Sequence, residues 1–180
     1  LYRAGITLNL KKCHFSKETV DYLGHVIQPG HLSVAEKNTA ALKVAKHPTT
    51  QTELRSFLGL CNVYRRIVKG FSKIAAPLNL LLRKGETPQL GPLSSEQVSA
   101  FETLRDALLN PPILALPRLE GTFTLDTDAS DHQLGCCLLQ TQPDGSQRPI
   151  GYWSRALTNA EKNYSTTEKE CLAIVWAILH

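Results

Sequence analysis

A chain of 180 residues that is 42% hydrophobic and 20% charged has the composition of a folded globular protein, which excludes disordered and collagen-like classes. Five cysteines (Cys13, Cys61, Cys136, Cys137 and Cys171) make an odd set without a CxxC pair, which argues against a disulfide framework or a cysteine zinc site and for reduced thiols packed as small apolar groups. The net charge of +4 conceals a division: residues 1–84 carry 14 Lys+Arg against 4 Asp+Glu (+10), and residues 85–180 carry 6 against 12 (−6).

The basic half suits a phosphate-binding surface, and the acidic half has carboxylates to spare for cations. No apolar run reaches the roughly 18 residues of a membrane span, and the N-terminus lacks the order of a signal peptide, so an intracellular protein with no membrane partner is expected. The chain contains no Met and stops at His180 inside an apolar run. Both ends are therefore expected to be internal to a longer protein.

In chain order, Ile6–Leu10, Lys12–Phe15 and Val20–Ile27 are short β-type runs, the third closed by Pro29-Gly30. A helical pattern runs from Val34 to His47, where Pro48 breaks it. Thr50 to Glu53 form a capping box, and Leu54, Phe57, Leu58 and Cys61 follow on one helical face. Arg55, Asn62, Arg66 and Lys69 continue as a polar stripe, expected on the same helix and suited to lie along a phosphate backbone. A third helix is expected to begin at Pro77 and end at Arg83, before Gly85. A fourth starts at Ser94 with Gln97, turns Val98, Phe101, Leu104 and Leu108 inward, and stops at Pro111-Pro112.

Past the double proline the period becomes two, which places a domain boundary there. Phe123, Leu125 and Thr127 alternate with Thr124, Asp126 and Asp128. Leu134–Gln140 and Arg148–Ser154 complete a three-stranded antiparallel meander, with Pro143-Asp144-Gly145 as the turn between them. Ser165 with Glu168, or Thr167 with Glu170, then caps a helix that is apolar on every side from Cys171 to Leu179 and is expected to be buried on both sides in the parent protein.

Several of these stretches, in order, resemble the Pol polyproteins of gypsy-type long-terminal-repeat retrotransposons and their retroviral relatives. Leu8–Cys13 with Tyr22–Ile27 resembles the end of a reverse transcriptase palm with its primer-grip hairpin. Leu54–Leu60 with Asn62–Arg66 and Ala76–Leu78 resembles the thumb. Thr127–Ser130, Gly135, Tyr152–Arg155 and Asn163–Glu170 resemble the start of the attached ribonuclease H domain. The resemblance implies an α+β fold in three parts: the palm end at 1–34, a helical thumb and connection at 35–112, and the N-terminal part of a ribonuclease H-like α/β domain at 113–180, with meander and first helix.

It implies an enzyme whose parent copies RNA into DNA and hydrolyses the RNA of RNA–DNA hybrids, in the cytoplasm within a retroelement particle or in the nucleus. This segment alone is expected to be inactive, because the polymerase's paired-aspartate motif is not in it. Hydrolysis by this route needs two divalent ions, magnesium or manganese, held by oxygen ligands. The resemblance places Asp128 on the strand and Glu170 on the helix as catalytic metal ligands, half of a two-metal site.

Asp126 is a weaker candidate, and Glu168 has a structural role open to it as a capping residue; periodicity does not choose between Glu168 and Glu170. The expected partners are RNA–DNA hybrid, primer–template and the rest of the polyprotein. Tyr22, Leu23, Gly24 and His25 are implied to contact nucleic acid, together with Arg55, Asn62, Arg66 and Lys69. Tyr64 suits either stacking or the core, lone His25 and His132 suit structural roles, and of the neighbours Arg65 and Arg66 one at most is expected on phosphate. The rival reading is a non-catalytic remnant retained by a host as a nucleic-acid or protein binding module, or a degenerate reading frame.

Overall fold

The computed structural model describes residues 13–83, 88–112 and 114–180, and before them residues 5, 7, 9 and 11. The run expected at Ile6–Leu10 and the residue Lys12 fall largely outside these; Cys13–Phe15 is not strand. The architecture is mixed α+β with two antiparallel sheets.

In the first sheet, β1 (Val20–Tyr22), β2 (His25–Gln28), β3 (His31–Val34) and β4 (Leu114–Ala115) are neighbours in that order. Between β3 and β4 run α1 (Glu36–Lys43), α2 (Gln51–Val63), α3 (Phe71–Leu80) and α4 (Ser95–Leu109). After the double proline the chain thus returns to the first sheet, Leu114 pairing with Leu32 and Ala115 with His31, before it enters the second. That short strand carries no period-two signal, because two residues are too few to show one.

The capping boxes at Thr50/Glu53 and Ser94/Gln97 form as the spacing predicts, each satisfying orphan N–H groups at a helix start. The third helix does not start at Pro77. It starts at Phe71 after Gly70, whose φ of 68° is a left-handed turn, and it encloses Pro77 near its end. The burial of Phe71, Ala75 and Leu78 on one face outweighs the hydrogen bond that proline cannot make. The first helix is shorter than its pattern: Val34 belongs to β3, Ala35 is the N-cap, and Val44 ends it.

Leu42, Leu54, Cys61, Tyr64, Ile67, Leu78, Phe101, Leu104, Leu108 and Leu114 form one buried core joining the helices to β4. At about 1.5–3 kcal/mol for each large aliphatic or aromatic side chain removed from water, this core dominates the stability of the molecule. Burial pushes the Cys61 thiol up to about 12, so it behaves as an inert apolar group. Cys171, by contrast, is exposed.

The second sheet is a meander of β5 (Phe123–Ala129), β6 (Gln133–Thr141) and β7 (Gln147–Ala156), with α5 (Thr166–Leu179) packed on β5 and β6. A bulge between Leu138 and Leu139 falls opposite Pro149, a residue that cannot donate to the ladder. Gly145, at φ 78°, closes the turn before β7, where the Asp144 carboxylate accepts from Ser146 N and Oγ. Leu134, Leu157 and Ala173 form a second, smaller core with Ala129, Leu172 and Trp176 around it. Among the described residues β5 is an edge strand of this sheet. Helix α5 turns Lys169 and Ala173 inward and leaves Ile174, Val175, Ile178 and Leu179 exposed, so its apolar character is not matched by burial on every side.

Arg155 on β7 binds Glu161 through both guanidinium nitrogens, at 2.7 and 2.8 Å, and its guanidinium lies 5.8 Å over the Trp176 ring. The pair holds the Glu161 carboxyl down at about 2, from an ordinary value of 4.5. Its contribution to stability is fully present above the ordinary carboxylate range and is lost as pH falls toward 2. Glu161→Gln is therefore expected to flatten the acid limb of a stability-against-pH curve measured by denaturant titration.

Candidate metal site and nucleic-acid interface

The first half of α5 is fixed against the end of β5 at two points. Lys169 is buried and donates to Asp131 Oδ1 at 2.9 Å, just beyond β5, and this ammonium holds the Asp131 carboxyl below its usual range. Ala129, the last residue of β5, packs in the same cluster as Ala173. Asp128 precedes Ala129 in β5, on the opposite, exposed face of the strand, and Glu170 lies three residues before Ala173 on α5.

Their neighbours are already committed. Ser165 is the N-cap, and Glu168 Oε2 accepts from Ser165 N and Oγ, each at 2.8 Å, so the capping box uses Glu168 rather than Glu170. These bonds hold the Glu168 carboxyl below its usual range. Asp131 and Glu161 are engaged by Lys169 and Arg155. Among the described residues, the side chains of Asp126, Asp128 and Glu170 have neither a hydrogen bond nor an ion pair, while their backbones belong to β5 and α5. Asp126 and Asp128 are exposed on the same strand face, and Glu170 is half-buried. No group of three or more His, Cys, Asp or Glu side chains gathers as a metal site among the described residues.

In the basic half, β1 and β2 form a hairpin whose turn is Leu23-Gly24, with φ of 49° and 85°, and whose last pair is Tyr22 with His25. Positive φ at both turn residues is the signature of a tight two-residue hairpin loop. Tyr22 is 60% and Leu23 75% exposed at the tip. His25 is half-buried: its Nδ1 has no partner, and burial pushes its pKa down. Tyr64, for which core and stacking were both open, is in the core.

The stripe expected on one helix is divided. Arg55 and Asn62 are exposed on α2, where Arg55 donates to the side chain of the buried Gln51 at 2.7 Å. The helix ends at Val63, and Arg66 and Lys69 lie in the turns that follow. The cause is local and tertiary together: Tyr64 N, Ile67 N and Val68 N bond three residues back, and Arg66 O is taken by Tyr152 N at 2.9 Å. Arg66 lies 5.4 Å over the Trp153 ring.

Arg65 is turned away from any phosphate role: it donates to Ser154 O at 2.6 Å and stands 5.7 Å over Phe71. Ser72 N reaches Ser154 Oγ at 3.0 Å, and Ser72 Oγ reaches Gln133 at 2.8 Å. This polar joint between the helical segment and the second sheet brings together residues 61 to 89 positions apart, which no local pattern signals. Beside it opens a cavity of about 910 Å³ whose lining includes Lys73, Arg155 and Lys162. His132 also lines that cavity and forms no metal group. No helix among the described residues is long and apolar enough to cross a membrane.

Residues 93–180 match the family described as the RNase H-like domain found in reverse transcriptase. Over 97% of its length the chain is 38% identical to the retrovirus-related Pol polyprotein from transposon 297 of Drosophila melanogaster, and over its whole length it is 33% identical to the transposon Tf2-3 polyprotein of Schizosaccharomyces pombe. It spans 16% and 13% of those relatives, less than a fifth of either. Two solved structures of a foamy viral protease–reverse transcriptase are similar. The one in complex with dsDNA has a TM-score of 0.77 and 26% identity over 91% of this chain and 33% of that one. The one in complex with RNA/DNA hybrid has a TM-score of 0.79 and 27% identity over 94% and 23%. With the meander, the capped helix and these relatives in agreement, residues 93–180 belong to the RNase H-like domains of reverse transcriptases, in a chain homologous to retrotransposon Pol polyproteins.

Proposed function

We propose that the chain is a segment of a gypsy-type reverse transcriptase joined to its ribonuclease H, with the palm end at 1–34, the thumb and connection at 35–112 and the first part of the nuclease domain at 113–180. Leu114 and Ala115, though past that last boundary, hydrogen-bond back to the first sheet. The parent copies RNA into DNA and cleaves the RNA strand of the hybrid, in the cytoplasm within a retroelement particle or in the nucleus. The observation that carries the nuclease reading is the pattern of engagement on β5, α5 and the turn after β5: Glu168 and Asp131 are held by protein groups, while the side chains of Asp128 and Glu170, like that of Asp126, are not, and of these the resemblance singles out Asp128 and Glu170.

An all-oxygen donor set of this kind fits magnesium or manganese, and Asp128 and Glu170 would hold it, leaving the rest of the shell to water and to further ligands of the parent. When bound, a pair of such ions supplies Lewis acidity and activates water for attack on phosphorus. The chain's own contribution is positional: the Lys169–Asp131 bond and the packing of Ala129 against the cluster of Leu134, Leu157 and Ala173 fix the strand and helix that carry the two carboxylates.

Residues of the basic half hold the nucleic acid through its phosphates: Arg55 and Asn62 from α2, Arg66 and Lys69 from the turns after it, and Tyr22 to His25 from the hairpin. Affinity of the chain for an RNA–DNA hybrid is therefore expected to fall steeply with salt, with a log–log slope of about −0.9 per phosphate neutralised, measured by fluorescence anisotropy. A slope near zero would refute phosphate binding. The same polypeptide is expected to extend no primer; templated extension would overturn the assignment of residues 1–112 to the parts that follow the polymerase aspartates.

A further inference from the structure

The turn at Leu23-Gly24 is held from behind by a residue of the helical segment. Tyr64, 40 positions away in sequence and fully buried, donates its hydroxyl hydrogen bond to Gly24 O at 2.5 Å. The same hydroxyl accepts from Asn38 Nδ2 on α1, and Gly24 O also receives Ala35 N at 2.9 Å. The Tyr64 ring meets His25 edge-on, with centroids 5.0 Å apart. A Cβ added at Gly24 would lie 2.7 Å from the Tyr64 hydroxyl and 3.0 Å from Asn38 Nδ2, so this position admits glycine on grounds of space as well as of its φ of 85°.

Beyond this anchor the chain accepts strain to expose an apolar side chain. Leu23 sits at φ 49°, a conformation that glycine or asparagine adopts more readily, and its side chain packs on nothing that buries it. Strained backbone that presents exposed groups is characteristic of sites that touch a ligand. The hairpin is thus tied at two places: β2 pairs with β3 in the sheet, and the turn carbonyl is bonded to Ala35, the N-cap of α1, and to Tyr64 at the end of α2.

We propose that Tyr64 is a positioning residue, whose hydroxyl fixes the Tyr22–Leu23 tip relative to α2 so that the primer strand is presented in register to the polymerase site. The proposal rests on the reading of the hairpin as a primer contact. Tyr64 touches no nucleic acid; it acts through Gly24. Removing only its hydroxyl leaves the buried ring and loosens the tip.

The test uses the complete reverse transcriptase carrying this segment. Tyr64→Phe is expected to lower the single-turnover rate of nucleotide incorporation about tenfold, within the roughly 10²-fold that misplacement by about 1 Å costs. Hybrid affinity and RNA cleavage on the same hybrid should stay within about twofold, which a general loss of folding would not permit. Gly24→Ala should reproduce the loss and add less on the Tyr64→Phe background, where the hydroxyl no longer opposes the methyl group; Asn38→Ala should give a smaller loss with Tyr64 intact.

Wild-type incorporation in Tyr64→Phe, together with loss in Leu23→Ala, would overturn the positioning role and leave the hairpin reading standing. Wild-type incorporation in Tyr22→Ala and Leu23→Ala would overturn the hairpin reading, and this inference with it. If Tyr64→Phe does not fold, Asn38→Ala decides: unchanged incorporation there overturns the proposal.

Discussion

Asp128→Asn and Glu170→Gln, each introduced into the complete protein, are expected to lower manganese- or magnesium-dependent cleavage of RNA in a hybrid by at least about 10²-fold, while Glu168→Gln leaves it within a few-fold. The lower bound follows because removing even an outer-shell partner of a metal ligand typically costs about 10- to 100-fold in affinity or activity, and these substitutions remove the ligand itself. The contrast between the two glutamates follows from the capping box. Glu168 accepts from the Ser165 backbone and hydroxyl, and the backbone part of that task is performed by a glutamine at Gln97, which accepts from Ser94 N in the same kind of capping box. A cleavage time course with 5′-labelled RNA measures all three. Inactivation by Glu168→Gln with a silent Glu170→Gln would reverse the assignment.

Phe101→Ala is expected to cost about 3–5 kcal/mol, at the upper end for a single core truncation. The ring is 1% exposed, lies 4.2 Å from Phe57 and 5.2 Å edge-on from His47, and has the Arg105 guanidinium 6.0 Å above it. It therefore joins α4 to α2 and to the segment before α2, and no small residue replaces those contacts. For a chain of this size the loss corresponds to a midpoint lowered by roughly 6–20 °C, read by calorimetry. Hydrogen exchange should show the effect concentrated in α2 and α4 and weaker in β6, because Leu134, Leu157 and Ala173 belong to the other core. A drop below 1 kcal/mol would mean that the helices do not share one core.

What the sequence states well is what is short-range. Capping boxes need three residues of separation, and those at Thr50, Ser94 and Ser165 all form. The alternation expected over Phe123–Asp128 holds in its second half, with half-buried Leu125 and Thr127 against exposed Asp126 and Asp128, and fails at the start of the strand, where Phe123 is exposed and Thr124 half-buried. The choice between Ser165 with Glu168 and Thr167 with Glu170 is invisible to periodicity, because both pairs have the same spacing; only the folded helix start shows that the first is used. What the sequence conceals is long-range. The end of α2 is set by a strand N–H at Tyr152 bonding Arg66 O, and the fate of Arg65 by a carbonyl at Ser154. Pro77 marks a helix start in isolation and sits inside one here, because Phe71, Ala75 and Leu78 share a buried face that spans it. Tyr64, ambiguous as a lone aromatic in an apolar run, gains its meaning from Gly24, 40 residues earlier.

In the proposed function the nuclease metal site is built on Asp128 and Glu170. Two carboxylates bind a divalent ion weakly, so the suitable reporter is one that detects brief occupancy: paramagnetic broadening of backbone amide signals during manganese titration of the isotopically labelled chain. The amides of Asp128, Ala129 and Glu170 are expected to broaden first, ahead of Asp131, Asp144 and Glu168, and Asp128→Asn combined with Glu170→Gln is expected to remove this order. Broadening centred on Asp131, Asp144 or Glu168, or an order unchanged in the double variant, would contradict it.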